Sequence, residues 1–320
     1  MIIEKWKNAQ TYVIGKYHIS HNMPCQDRTY YLEKNGVKVM ALADGAGSQA
    51  HSHIGAEIVC KELCELVSEN FIDILMYFEY EKTDPSKHKE KMNVLSKLVI
   101  DYLVKKLKET AIKNNVALKE LSSTMLFFAL KDDHYILGHI GDGVIVGLFN
   151  ENNTHSLRII SDSENGAAAN ITFFVTDADA SEHLRFKAGR VDNLVGAILS
   201  SDGAADVLFS KNGIDSSSYE LFTKFEMKTS QEYNKLLSEF LSKIISNYST
   251  DDLSLNLLCL EDNDTSKLTY EYSSYVLNKI VSKKQIIRKS QYCYFVDPSI
   301  EAKSRDFNSL EDIKRYIQWN

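Results

Sequence analysis

Four apolar runs in this chain each stop at an aspartate or start just after one. The instances are Asp44-Gly45, Asp142-Gly143, Asp202-Gly203 and Asp251-Asp252. A fifth acid, Asp27, closes Pro24-Cys25-Gln26-Asp27 just ahead of another strand candidate, Thr29 to Leu32. A strand fixes the backbone at its end, so a short carboxylate there projects into a cleft that several strand ends can share. Carboxylates gathered in this way repel one another unless cations sit between them. A single Asp-Gly reads as a turn. Three Asp-Gly pairs and one Asp-Asp pair at strand ends leave two readings open: ordinary turns, or an acidic cleft. In the second reading, oxygen ligands without a His/Cys cluster favour Mg²⁺ or Mn²⁺ over zinc.

The runs between the acids set the fold class. Val37–Ala43, Met125–Leu130, Tyr135–Ile140, Val144–Phe149, Val195–Ser200 and Leu253–Leu260 read as strands, with Lys131–His134 as the turn of a hairpin. Ile54–Phe71, Leu95–Ile112 and Leu236–Ile245 repeat apolar residues near the helical period. Glu79–Lys91, with Asp84-Pro85-Ser86, reads as a loop between the first two helices. Hairpins interleaved with paired long helices predict an α+β layered sandwich. Residues 1–265 are expected to form the main domain. Residues 266–320, with a lysine-rich stretch at 279–289 and a helix start at Ser309, are expected to be an extension packed on it.

Composition narrows the function. The formal charge of −7 over 320 residues speaks against a nucleic-acid binder, and with it against a carboxylate–metal nuclease. No run is long and apolar enough to span a membrane, and the first residues lack a signal-peptide pattern. Cys25, Cys60, Cys64, Cys259 and Cys293 are odd in number and match no zinc spacing; they read as reduced thiols of a cytoplasmic protein.

The ordered motifs resemble those of the type-2C family of metal-dependent serine/threonine protein phosphatases, in its compact bacterial form. They are Gly15 through Asp27, Ala41–Ser48, Ser122–Met125, His139-Ile140-Gly141-Asp142, Ser200–Asp206 and Thr250–Leu255. Each is weak alone, but all six occur in the family's order. The resemblance implies a four-layer α-β-β-α sandwich with two mainly antiparallel sheets and a metal cluster at one end. It implies that Asp44, Asp202 and Asp251 hold two Mn²⁺ or Mg²⁺ ions, that Gly45 adds its carbonyl, and that Asp27 acts through water. Asp142 and Asp206 match the pair that holds a third, weaker ion. The implied reaction is hydrolysis of phosphoserine or phosphothreonine by a metal-bridged water, on a phosphorylated protein substrate and opposite a cognate Ser/Thr kinase.

The chain departs from that pattern in its first motif. Gln26 is neutral where an acid is usual, Asn22 stands where many members have a phosphate-gripping Arg, and Ala46 replaces a His. Asp252 replaces the usual Asn and is expected to be a neighbour of the ligands. His18, His21 and Arg28 are candidate substitutes as phosphate ligands or proton donors, with solvated surface as the alternative, and His51 and His53 are equally ambiguous. Residues 170–192 correspond to a variable flap, in which Arg185, Lys187 and Arg190 would attract phosphate or simply be solvated. These departures keep a second reading alive, a pseudophosphatase that recognises a partner without turnover.

Overall fold

The computed structural model describes residues 6–79, 81, 83–151, 154–164, 172–209, 218, 221–222 and 228–261. The 266–320 extension, its lysine stretch, the Ser309 helix start and Cys293 lie outside the described residues. Two five-stranded antiparallel sheets stack face to face. One has the order β1-β10-β9-β6-β7 and the other β2-β3-β4-β5-β8. The strands are β1 (Trp6–Val13), β2 (Arg28–Lys34), β3 (Val37–Ala43), β4 (Met125–Lys131), β5 (His134–Ile140), β6 (Val144–Glu151), β7 (Thr154–Ser161), β8 (Arg185–Arg190), β9 (Leu194–Ser200) and β10 (Leu253–Leu260). The helices are α1 (Lys16–Ser20), α2 (Ser52–Met76), α3 (Pro85–Asn114), α4 (Ala180–His183), α5 (Asp202–Leu208) and α6 (Ser230–Lys243).

The central strands are apolar throughout because both of their faces are covered. In β3, Val37, Val39, Ala41 and Ala43 face the layer built from α2 and α3, while Met40 and Leu42 face the other sheet. In β4, Met125, Phe127 and Ala129 take the helix side, and Leu126, Phe128 and Leu130 the sheet side. That is the period of two expected of a strand, with apolar residues at both phases. On the far side of the second sheet, Leu253, Leu255 and Leu257 of β10 pack with Leu208 of α5 and Tyr233, Leu237 and Leu241 of α6. The result is the expected four-layer sandwich.

A polar side chain also lies in the layer between the sheets and bonds across it. Asn256 of β10 is fully buried. Its Nδ2 donates across to the carbonyls of Tyr30 in β2 (2.9 Å) and Ala41 in β3 (3.0 Å), and its Oδ1 accepts from Asn8 Nδ2 (2.7 Å).

The structure corrects several boundaries. The stretch 79–91, read as a loop, already contains helix from Pro85 onward: the Asp84 side chain accepts from the Lys87 N–H at 3.0 Å and Pro85 occupies the first turn. Asp-Pro is here a helix start, with Asp as cap and Pro where no N–H is needed. Helix α2 runs past Phe71 to Met76, through a non-helical Asn70. β1, β7 and β8 have mixed, half-exposed sequences and carry no clear strand signal. β8 lies within the segment read as a flap and closes one edge of its sheet beside β5.

Candidate metal centre

Strand pairing gathers the five acids. Arg28 pairs with Ala43 and Met125 with Ile140, so Asp27, Asp44 and the Gly141-Asp142 turn leave one sheet at the same end. Val144 pairs with Ser200 and Val13 with Leu253, which brings Asp202 and Asp251-Asp252 to the matching end of the other sheet. Half-buried oxygens of Asp44, Asp142 and Asp202 lie within 4.8 Å of one another.

The backbone of Asp44 and the carboxylates of Asp142 and Asp202 are held by their own surroundings. The Asp44 N–H donates to Thr124 Oγ1 (2.8 Å) while its carbonyl accepts from the Thr124 N–H (2.8 Å), which fixes the backbone on both sides. Asp142 Oδ2 accepts from the Thr172 hydroxyl. Asp202 begins α5, and its Oδ1 accepts from the Gly203 N–H at 2.6 Å. Gly203 cannot carry a side chain, because a Cβ would lie 2.3 Å from the Asp252 carbonyl oxygen.

The electrostatics are those of an unbalanced acidic cluster. Burial pushes the Asp44 carboxyl well above the usual range, and the charges of Asp27, Asp202, Asp142 and Asp251 push it further. Burial, then Asp142 and Asp251, raise Asp202 to about 8. Burial raises Asp27 to about 7. The Ser254 and Ser201 hydroxyls face Asp27 and oppose that rise without completing well-aligned hydrogen bonds. The strongest charges acting on Asp44 are therefore all negative, and both oxygens of the buried Asp27 lack a donor. Cations between these oxygens would remove both deficits, and an all-carboxylate donor set suits a hard divalent ion.

Asp251 is exposed at the rim, its Oδ1 accepting from the Asp252 N–H (2.8 Å); its charge acts on Asp44, Asp142 and Asp202, yet it falls outside the tight triad. Asp206 is exposed one turn along α5, and its charge acts on Asp142 and Asp251. Gly45 bridges to Ser123, and its N–H donates to the Gln26 carbonyl (3.2 Å). His18 is buried, with Nδ1 2.9 Å from Asp252 Oδ1. His21 is exposed and lies 2.8 Å from the Tyr17 carbonyl. Arg28 Nη1 donates to the carbonyls of Cys25 (2.8 Å) and Asp27 (2.7 Å). His139 is fully buried against Ser161 Oγ (2.9 Å), and burial and the nearby Arg185 hold its imidazole far below the usual value.

The flap cations are engaged within the protein. Arg185 Nε pairs with Glu164 (3.2 Å), Arg190 with Asp133 (2.8 Å) and Asp192 (3.2 Å), and Lys187 Nζ donates to the Ile160 carbonyl (2.5 Å). Sequence reasoning missed Thr124, Thr172, Ser201 and Ser254. Thr124, Ser201 and Ser254 lay inside recognised motifs but were given no role there, and Thr172 lay outside all of them; Thr172, Ser201 and Ser254 meet the acids only through the fold.

The protein phosphatase 2C family model matches residues 14–242. Serine/threonine-protein phosphatase 3 of Escherichia coli K12 is 26% identical over 263 residues, covering 77% of this chain and 95% of that protein. Among solved structures, one titled as a bacterial serine phosphatase superimposes with a TM-score of 0.55 at 15% identity, covering 81% of this chain and all of that one. A serine/threonine phosphatase of S. agalactiae superimposes at 0.53 with 16% identity, covering 80% and 100%. At such identities these structures speak for the fold, while the family model spans most of the chain and covers four of the five clustered acids. The chain is thus a member of the protein phosphatase 2C family, a family of metal-dependent protein serine/threonine phosphatases.

Proposed function

We propose that this chain is an active phosphatase that uses two Mn²⁺ or Mg²⁺ ions, with a third, weaker one, to hydrolyse phosphoserine and phosphothreonine in proteins. The observation that carries the reading is the convergence of Asp44, Asp142 and Asp202 within 4.8 Å, with only negative charges among the strongest acting on Asp44. Asp44, Asp202 and Asp251 would hold the two central ions with the Gly45 carbonyl, Asp142 and Asp206 the third, and Asp27 would act from behind. Divalent cations bound there supply Lewis acidity, lowering the pKa of water and neutralising charge on phosphoryl oxygens.

The chain's own groups orient that ligand set. The Gly203 N–H holds Asp202 Oδ1 and leaves its second oxygen free. The Thr172 hydroxyl does the same for Asp142, and the Asp252 N–H for Asp251. Asp27, near neutrality in its pKa, is suited to hold or pass a proton at its carboxyl. Phosphorylated protein is the substrate in this reading and a Ser/Thr kinase the opposing enzyme. The thiols of Cys25, Cys60 and Cys64, none of them in a disulfide, suit a reducing compartment such as the cytoplasm.

One observation favours the pseudophosphatase instead. Arg28 is turned to backbone carbonyls, and Asn22, in the left-handed region at φ 54°, offers no cation for phosphate. The two readings separate on hydrolysis of a phosphothreonine peptide with Mn²⁺, with Mg²⁺ and with EDTA. Metal-dependent turnover is expected, with a loss of more than about 100-fold in Asp202→Asn, beyond what outer ligand partners typically contribute. Folded, metal-loaded protein without turnover would establish the pseudophosphatase.

A further inference from the structure

We infer that the buried pair Asp252–His18 positions Asp27 and Asp251 for metal binding, so that both are positioning residues and His18 does not touch substrate. The inference rests on the phosphatase reading above and assigns a task to two residues outside its ligand set.

Asp252 and His18 are 2% and 4% exposed. Asp252 Oδ1 accepts from the Gly15 N–H (2.7 Å) and lies 2.9 Å from His18 Nδ1. Its Oδ2 accepts from the Gln26 N–H (2.5 Å). Gly15 follows β1 and Gln26 precedes Asp27 and β2, so one carboxylate ties together both ends of the excursion that contains α1. Two backbone bonds secure that excursion further: the Tyr17 N–H donates to the Thr250 carbonyl and the Met23 N–H to the His18 carbonyl, each at 2.9 Å. A Cβ at Gly15 would lie 2.3 Å from the Asp251 carbonyl carbon. The excursion therefore lies directly on the Asp251-Asp252 peptide.

The chemistry suits a carboxylate more than an amide. Both backbone groups are donors, and a carboxylate offers acceptors on both oxygens. Asparagine, the residue expected here from the resemblance, would set its NH₂ against one of the two N–H groups and leave a buried donor unpaired. Because Asp252 is bonded through the chain to Asp251 and through one hydrogen bond to the residue before Asp27, displacing it moves a rim ligand and the rearmost acid together. Outer partners of metal ligands act in this way, and their loss typically weakens metal binding by about 10–100-fold.

The test uses the full chain with Asp252→Asn and His18→Gln. Circular dichroism checks folding, thermal melting in EDTA gives metal-free stability, and titration calorimetry gives Mn²⁺ affinity. Activity on a phosphothreonine peptide at saturating Mn²⁺ gives kcat and KM. Folded Asp252→Asn is expected to bind Mn²⁺ about 10-fold more weakly, and His18→Gln on the order of threefold, with KM for the peptide unchanged. If Asp252→Asn does not fold, His18→Gln decides alone. A lower metal-free Tm with wild-type Mn²⁺ affinity would reduce the pair to a purely structural role and overturn the inference. A raised KM in His18→Gln with unchanged Mn²⁺ affinity would return His18 to the substrate and overturn it too. Failure of the wild type itself to bind Mn²⁺ would remove the phosphatase reading, and this inference with it.

Discussion

Asp27 and Asp202 hold their protons to about 7 and about 8, and this gives the metal-free protein an unusual pH response. Between the ordinary value of 3.8 and these folded values, the native state binds more protons than the unfolded chain. Stability therefore falls as pH rises across that window. The contribution is complete below about pH 4 and lost through about pH 8. In EDTA, urea unfolding is expected to show falling stability from pH 5 to pH 8, and added Mn²⁺ to flatten that fall by favouring the ionised carboxylates. A stability that rose with pH in EDTA would contradict the cluster's charge balance. At this scale the acids were legible because Asp-Gly at a strand end has both a spacing and a chemistry. Ser201 and Ser254 were not, because nothing local marks a hydroxyl that meets Asp27 only after β9 and β10 pair. His18 was legible as a polar residue in the right motif, but its burial against Asp252 depends on a segment more than 230 residues away in sequence.

Helix α2 is set against the 3₁₀ turn Leu118–Leu121, which precedes β4, by the absence of a side chain at Gly55. A Cβ there would stand 1.9 Å from the Leu121 carbonyl oxygen. Gly55→Ala gains helix propensity but forces the two backbones apart, and a net loss of about 3 kcal/mol is expected in chemical denaturation. A neutral or stabilising result would mean that the helix shifts without cost. The helices were legible as elements because their apolar residues recur at the helical period, but their ends were less so. Asp84-Pro85 can start a turn or a helix, and the apolar residues that decide between them, from Leu95 to Ala111, begin more than two turns later. The inner strands were legible because they are apolar on both faces. β1, β7 and β8 lie at sheet edges and show little of either pattern.

Across the whole molecule, an apolar contact in the middle of the layer between the sheets is expected to act on stability and not on the acid end. Phe128 is fully buried there and stacks on Tyr135 at 5.4 Å between ring centroids. Phe128→Ala should lower stability by about 3–5 kcal/mol while leaving the Mn²⁺ affinity of the folded protein close to wild type. Equal losses in both would mean that the core and the site are coupled. Asn256 has the opposite character. Apolar side chains tolerate many ways of laying one sheet on another, since burial has no direction. The Asn256 amide does not, because it must meet the carbonyls of Tyr30 and Ala41 in the opposite sheet, and slippage would break both bonds in a dry interior. It works as an alignment key between two slabs. The acids are divided between those slabs, with Asp27 and Asp44 on one, Asp202 and Asp251 on the other, and Asp142 at the crossing. A mis-seated sandwich would still be compact, but it would have no acid cluster.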